Sequence, residues 1–485
     1  MHSLRTYIYC VKYIFSRCRI LFLLLTIPMS ANEVKRFNNA LDGLVNNNFS
    51  MVDKAFLKTG LKSGNDQLLA LYELGSFYSL SGNFKQSAHF FDMADSVSNF
   101  YESNALISMN AIRRYSSAVL TNDSATRYEG FGYDKVMSRT FNAMNYFFLG
   151  DLEGAQVELK KAEEYQRLNR EVYKQKKYNN KLMSTVTDAH PKLHGVDLSY
   201  NESVVNAAYD KMFDQVKNIS NSFESAFTYF LASQFYLAQG VRGIDDAMVS
   251  IKRAYELMPN VPCIQSSYLD IAKSHSWSAY NDAKTKLGLD FDDSISDRRS
   301  MGSVVVCFAA GRVPNMELLK IPFMISDNVY TLTFPVYRHF DTPQMPLVIH
   351  VSSDVFKTTA ITDIRCLAIK SLQERMPELI GRSVLGAIVK AELQSKIREH
   401  AGPFAGLIAG VTSLSVPAAD CRSWLSLPAE LQIAKFNLNV GSNKLMLSHG
   451  CDWIETLTLN IKAGCITLIF VRSFPGFRRV DIKSF

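Results

Sequence analysis

Apolar positions between Asn32 and Ala283 recur three and four residues apart, the spacing that lines one face of an α-helix. Helices are predicted over Asn32–Leu44, across Asp66–Ser96, over Glu102–Leu120 and Thr228–Asn260, with one further helical stretch in Val261–Ala283. From Met301 the period changes to short β-branched runs broken by Gly and Pro, which read as strands. Strands are predicted at Val304–Ala309, Leu318–Phe323, Val329–Val336, Leu347–Val351, Leu431–Val440, Ile454–Ile461 and Cys465–Val471. Two helices are expected among them, Ile361–Glu374 and Pro377–His400, the second with Pro in its first turn. Gly402, Gly406 and Gly410 put a bare ridge on a third, Gly402–Pro417, which suits a tightly packed core helix and falls short of the ~20 apolar residues of a membrane span. The expected fold class is α+β. An all-α part over 32–283 precedes a polar linker over 284–300 and a mixed α/β part over 301–485 with a largely antiparallel sheet.

Within the helical part three stretches share a register. From Thr228, small Ser233 and aromatic Tyr236 stand on a first helix that Gly240 closes. Ala247, Ile251 and Ala254 follow on a second helix, which Pro259 ends. From Leu68 the same places hold Leu74, Gly75, Tyr78, Gly82, Phe84, Ser87, Phe91 and Ala94; from Val136 they hold Ala143, Tyr146, Gly150, Leu152, Ala155, Leu159 and Ala162. Small residues let paired helices approach, the tyrosine fills the space between them, and glycine supplies a left-handed cap. The stretches resemble tetratricopeptide repeats of ~34 residues. Their uneven spacing along the chain implies an irregular array.

The first 31 residues read as a secretory signal peptide. Arg5, Lys12, Arg17 and Arg19 precede the short apolar run Ile20–Ile27, and Pro28, Met29, Ser30 and Ala31 resemble a cleavage site; the alternative is an uncleaved anchor, for which the run falls short of the ~20 residues of a span. Removing that leader takes Lys plus Arg from 53 to 49 against 46 acids, a balance of +3. So small an excess gives no argument for nucleic acid or an anionic membrane surface as a partner. Six cysteines remain, without CxxC spacing, and read as buried thiols; a Cys451–Cys465 disulfide stays open.

Two places carry candidate binding chemistry. Tyr128, Phe131 and Tyr133 form an aromatic loop ahead of the second repeat, which either lines a groove or plugs a helix end. Asp420, Arg422 and Trp424 stand together in DCRSWLSLP. They read either as a peptide or glycan site, which needs Trp424 exposed in a cleft, or as an internal lock with Arg422 paired to Asp420. Reaction chemistry is sparse: no phosphate loop, HExxH or GxSxG elbow occurs. His190 and His194, interrupted by Pro191, lack further ligands for a metal, and Asp290, Asp292, Asp293 and Asp297 lack the Gly and Glu of a calcium loop. A Cys–His pair drawn from Cys307, Cys421, His339, His350 and His449 would require tertiary proximity. No catalytic residue, metal or cofactor is expected.

The leader, the repeats, the string YEGFGYDKVMSRTFNAMNYFFLGD and ADCRSWLSLP together resemble an uncharacterised bacterial cell-envelope family, usually lipoproteins, with tetratricopeptide-like repeats ahead of a strand-rich C-terminal domain. The lipid-bearing cysteine of such proteins is missing after the apolar run. The resemblance implies an exported, periplasmic or membrane-associated chain without a multi-pass membrane domain and without an activity to carry over. The expected function is a non-catalytic scaffold whose repeats bind protein partners. The alternatives are a cell-wall glycan or peptide module in the C-terminal domain and an enzyme using a Cys–His pair.

Overall fold

A computed structural model describes residues 29–107, 127–178, 198–288, 301–325, 328–338, 343–381, 383, 386, 419–450 and 453–485. Helices occupy the N-terminal half: α1 (Met29–Val45), α2 (Phe49–Leu61), α3 (Gln67–Ser81), α4 (Phe84–Ile107), α5 (Gly132–Leu149), α6 (Leu152–Tyr178), α7 (Leu198–Asp214), α8 (Ala226–Leu237), α9 (Ile244–Leu257), α10 (Pro262–His275) and α11 (Trp277–Leu287). Consecutive helices pack as hairpins, α1 on α2, α3 on α4, α5 on α6 and α8 on α9.

The small residues singled out in the sequence explain how closely the pairs approach. Ala94, Ala155, Ala162, Ala247 and Ala254 are wholly buried. Gly75 lies under the Phe91 ring, where an added Cβ would come within 2.8 Å of the ring carbons, and its carbonyl accepts a 2.6 Å bond from Ser87 Oγ. Gly82 and Gly150 end α3 and α5 with φ of +82° and +95°, in the left-handed region that a side chain disfavours. Each of the three tyrosines singled out bonds back to an acid on a preceding helix. Tyr78 donates to Asp53 (2.8 Å), Tyr146 to Asp92 (2.9 Å) and Tyr236 to Glu163 (3.0 Å). Gly240 is also left-handed, with φ +62°, but it does not directly cap α8, which stops at Leu237; it opens a short 3-10 turn ahead of α9. Pro259 lies in the turn between α9 and α10, its carbonyl accepting from Gln265.

Strands β1 (Met301–Ala310), β2 (Met316–Ile325), β3 (Asn328–Tyr337), β4 (Val348–Val351), β5 (Asp354–Lys357), β6 (Thr359–Asp363), β7 (Glu430–Asn439), β8 (Gly441–His449), β9 (Trp453–Ile461), β10 (Ile466–Phe474) and β11 (Phe477–Ser484) follow. They form a five-stranded sheet in the order β11-β10-β1-β7-β6, a four-stranded sheet β5-β4-β8-β9 and the hairpin β2-β3. Within the five-stranded sheet β1 runs parallel to β10, and the other pairings are antiparallel. The chain is therefore α+β, helices first and antiparallel-rich sheets after them.

The apolar run of β1 is explained by burial on both faces. Val304, Val306, Phe308 and Ala310 face the four-stranded sheet and share a core with Ile349, Phe436, Leu447 and Val471. Val305, Cys307 and Ala309 face the other way, into a core that continues through the helices to Phe77, Phe147 and Phe230. Side chains alternate across a strand, so the five-stranded sheet is a middle layer between the helices and the second sheet. The helical and strand-rich parts thus share one core.

Several boundaries differ from expectation. The predicted separate helix from Glu102 is, as far as it is described, the end of α4. Lys284–Leu287, assigned to a linker, form the last turn of α11, capped by Gly288. Residues predicted as the start of one helix at Ile361 belong to β6, and a single helix, α12, runs from 364 to 381 straight through Pro377. Strands β5, β6, β8 and β11 were not expected. Residues 1–28, most of the predicted Pro377–His400 helix, Gly402–Pro417, His190, His194, His339, Cys451 and the acids from Asp290 to Asp297 lie outside the described residues.

Candidate functional site

The segment 419–427 leaves the strand-rich part and lies against the helices. Its polar and aromatic side chains are satisfied there. Arg422 donates from Nε and Nη2 to Asp420 (2.9 and 2.6 Å) and from Nη1 to Asp66 at the start of α3 (2.7 Å). The guanidinium is 1% exposed and stands 5.8 Å from the Tyr128 ring. Burial would lower its pKa, but the Asp420 and Asp66 carboxylates outweigh that and hold it above the usual arginine range. Trp424, also 1% exposed, stacks on Tyr72 with centroids 4.6 Å apart and is flanked by Phe91 and Phe141. Its indole N–H reaches Ser426 Oγ (2.7 Å) and Ser76 Oγ (3.0 Å).

The aromatic loop ahead of α5 belongs to the same junction. Tyr128 is buried and donates to Asp134 (2.6 Å), which also accepts from the Phe131 N–H (2.9 Å) and so caps α5. Tyr133 is wholly buried, and the Phe131 ring lies 4.2 Å from the Arg375 guanidinium. The proposed ligand contacts Tyr128, Phe131, Tyr133, Arg422 and Trp424 are thus brought together, with Phe131 half-buried and the other four buried. The exposed Trp424 that a glycan or peptide site requires is not there, because Tyr72 covers the indole face.

Beside this junction a small cleft of about 20 Å³, room for about one water-sized group, lies between α1, α2, α3 and residues 423–425. Glu33, Asp66 and Glu73 line it with Arg36, Phe37 and Ser423. Glu73 is buried on α3, and its Oε1 accepts from the Leu425 N–H at 2.7 Å. Burial lifts its carboxyl to about 7, against the Ser426 and backbone hydrogen bonds that favour the anion. Burial, and then the Asp66 charge, lift Glu33 to about 8. Two carboxyl groups that titrate near neutrality in one cleft mark a candidate site. Sequence reasoning missed it, although the signal was present: Glu73 is the single acid within the largely apolar helix QLLALYELGSFYSLS.

Four of the thiols are held in the protonated form by burial. Cys263, Cys307, Cys366, Cys421 and Cys465 are free, and burial pushes Cys263, Cys366 and Cys421 up to about 12 and Cys307 higher still. His449 packs edge-on against Phe308, and burial lowers its pKa. No cluster of His, Cys, Asp and Glu among the described residues could hold a metal ion. No described helix is long and apolar enough to cross a membrane.

No protein-family model matches this chain, and no curated protein matches it.

Proposed function

We propose that this chain is an exported, non-catalytic scaffold of the bacterial cell envelope, built on a tetratricopeptide-like helical array that binds protein partners. The observation that carries the reading is the array's own handling of an extended segment. Residues 419–427 lie against α3, α4 and α5 as a peptide ligand would, with an arginine anchored by two carboxylates and a tryptophan inserted among aromatic rings. The three tyrosine–acid bonds and the buried small residues in register support the repeat assignment. The high thiol pKa values support the non-catalytic reading, since the thiolate is the nucleophile.

That face is filled from within, so a protein partner engages the array from outside. Val157 and Val172 on α6 and Val249 on α9 are 54%, 49% and 70% exposed and are the apolar side chains we assign to that contact. Deleting the repeats would remove half of the shared core, so point variants are the sound test. The full-length chain and its Val157→Glu/Val172→Glu/Val249→Glu variant are cross-linked in the native envelope, and bound proteins are identified by mass spectrometry. A partner recovered with the parent and lost with an equally stable variant supports the reading. Recovery of no partner, or of the same partner from both, counts against an array-borne scaffold.

A further inference from the structure

We propose that strand β9 is a self-association edge: two copies of this chain pair antiparallel along Trp453–Ile461 and join their four-stranded sheets into one. β9 ends the order β5-β4-β8-β9 and pairs with β8 alone. Among the described residues, none of β9 has a backbone hydrogen bond outside that pairing. A strand at the edge of a sheet presents a row of backbone N–H and C=O groups that a further strand matches. Over nine residues the row is about 30 Å long.

The other edges of this molecule are guarded, which makes β9 the exception. β11 carries Arg478, Arg479, Asp481 and Lys483 within eight residues, and Lys483 donates to the Phe148 carbonyl at the end of α5 (3.0 Å). β6 lies beside α8, where the Phe227 N–H donates to Thr362 Oγ1 (3.0 Å), and its pairing with β7 slips between Ala360 and Thr362. β5 has four residues, two of them Asp354 and Lys357. The hairpin β2-β3 has a proline in each strand, Pro322 and Pro335. Charges, bulges, prolines, shortness and a covering helix are the devices that stop edge-to-edge pairing. β9, WIETLTLNI, has no Pro, no Gly, no register slip and the single charge Glu455.

The sequence of β9 suits a second copy of itself. A two-fold axis through Leu457, the midpoint, is the antiparallel register in which all nine residues pair. Leu457 then faces Leu457 and Thr456 faces Thr458, while Glu455 faces Leu459, Ile454 faces Asn460 and Trp453 faces Ile461, so no like charges are opposed. Trp453, Leu459 and Ile461 are buried against the five-stranded sheet, and Ile454, Thr456 and Thr458 alternate with them on the exposed outer face. Ile454 is 66% exposed and gains cover from the added strand. The two-fold contact closes on itself, and β5 guards the far end of each sheet, so the product is a dimer and not a fibre. Pairing along one strand buries less than the ~1,600 Å² of a standard interface, so the dimer forms reversibly. The inference rests on the sheet topology and not on the scaffold reading, which concerns α6 and α9.

The test is sedimentation velocity of the full-length chain over about a hundredfold range of concentration, where mass action reveals a reversible dimer. The expected result is a mass that doubles as concentration rises, with hydrogen exchange of the β9 amides slowing over the same range. Thr456→Lys/Thr458→Lys sets like charges opposite one another twice across the axis and should weaken the dimer at least about tenfold. Both threonines are exposed, so the dilute variant should stay folded in urea unfolding. Thr456→Lys/Thr458→Glu sets opposite charges at the same positions and should restore the dimer, most strongly at low salt. A chain that is monomeric at every concentration would overturn the proposal and leave the edge to a strand of another protein. A dimer whose β9 amides gain no protection, or one that the double lysine variant leaves intact, would overturn it as well. Loss of the dimer in both variants would overturn the pairing about Leu457.

Discussion

Replacing Trp424 by alanine tests whether the helices and the sheets share one core. The side chain is 1% exposed, and burying a ring of its class removes about 150–250 Å² from water. At ~25 cal/mol per Å² that is about 4–6 kcal/mol. Surface already buried in the unfolded chain lowers it to about 3–5 kcal/mol, the usual cost of a large aromatic-to-alanine change. The lost stack on Tyr72, 4.6 Å away, adds about 0.5–1.5 kcal/mol. Trp424→Phe keeps most of the ring and loses the N–H bonds to Ser76 and Ser426, so about 1–2 kcal/mol is expected. The assay is equilibrium urea unfolding, followed by circular dichroism at a helix-weighted wavelength and by hydrogen exchange in β1, β7 and β10. Both probes should report one transition, moved to lower urea by the alanine variant. An unchanged midpoint would refute the burial argument. A shift seen by the helical probe alone would refute the shared core.

Three further outcomes follow from the same geometry. Arg422→Met leaves Asp66 and Asp420 without their counter-ion; because both carboxylates are partly exposed and rehydrate, a loss of about 2–3 kcal/mol in urea unfolding is expected, below the 3–5 kcal/mol of a fully buried pair. Adding Asp66→Asn and Asp420→Asn should restore part of it, and a single-variant loss under ~0.5 kcal/mol would show the pairs to be unimportant. Glu73 is lifted from 4.5 to about 7, so the folded chain binds its proton more tightly than the unfolded chain does. Its contribution to stability is then lost as pH rises from about 4.5 to 7, on the order of 3 kcal/mol. Glu73→Gln should flatten that stretch of a stability–pH profile, and a parallel profile would contradict the shift. Tyr78→Phe, Tyr146→Phe and Tyr236→Phe should each cost about 0.5–1.5 kcal/mol and add nearly independently in a triple variant, as separated sites do; strong non-additivity in denaturation would mean the three bonds are not equivalent units.

The close-packed positions of the paired helices were legible in sequence because helix pairing demands small residues at contact points and a left-handed glycine where a first helix stops. Gly75, Gly82, Ala94, Gly150, Ala155 and Ala162 meet those demands locally. Gly240 takes the left-handed conformation expected of it, φ +62°, but three residues past the end of α8 at Leu237, where it opens a 3-10 turn. Strands β5 and β11 were missed because they are edge strands with mostly polar or half-exposed side chains, and an edge needs little apolar periodicity. Pro377 was read as a helix start, yet α12 continues through it with Ile364, Leu372 and Met376 held in the core.

The sequence by itself determined the fold class, the order of helices and sheets, the close-packed positions of the helical array and the distinctiveness of DCRSWLSLP. These follow from local periodicity and from residue types that suit few backbone states. Only the tertiary structure decided that Arg422 and Trp424 face inward, because their partners Asp66, Tyr72 and Ser76 stand some 350 residues away in the chain. It also decided that Glu33, Glu73 and Ser423 share one cleft. Burial and charge at such a place are properties of surfaces meeting, and no local pattern encodes the meeting.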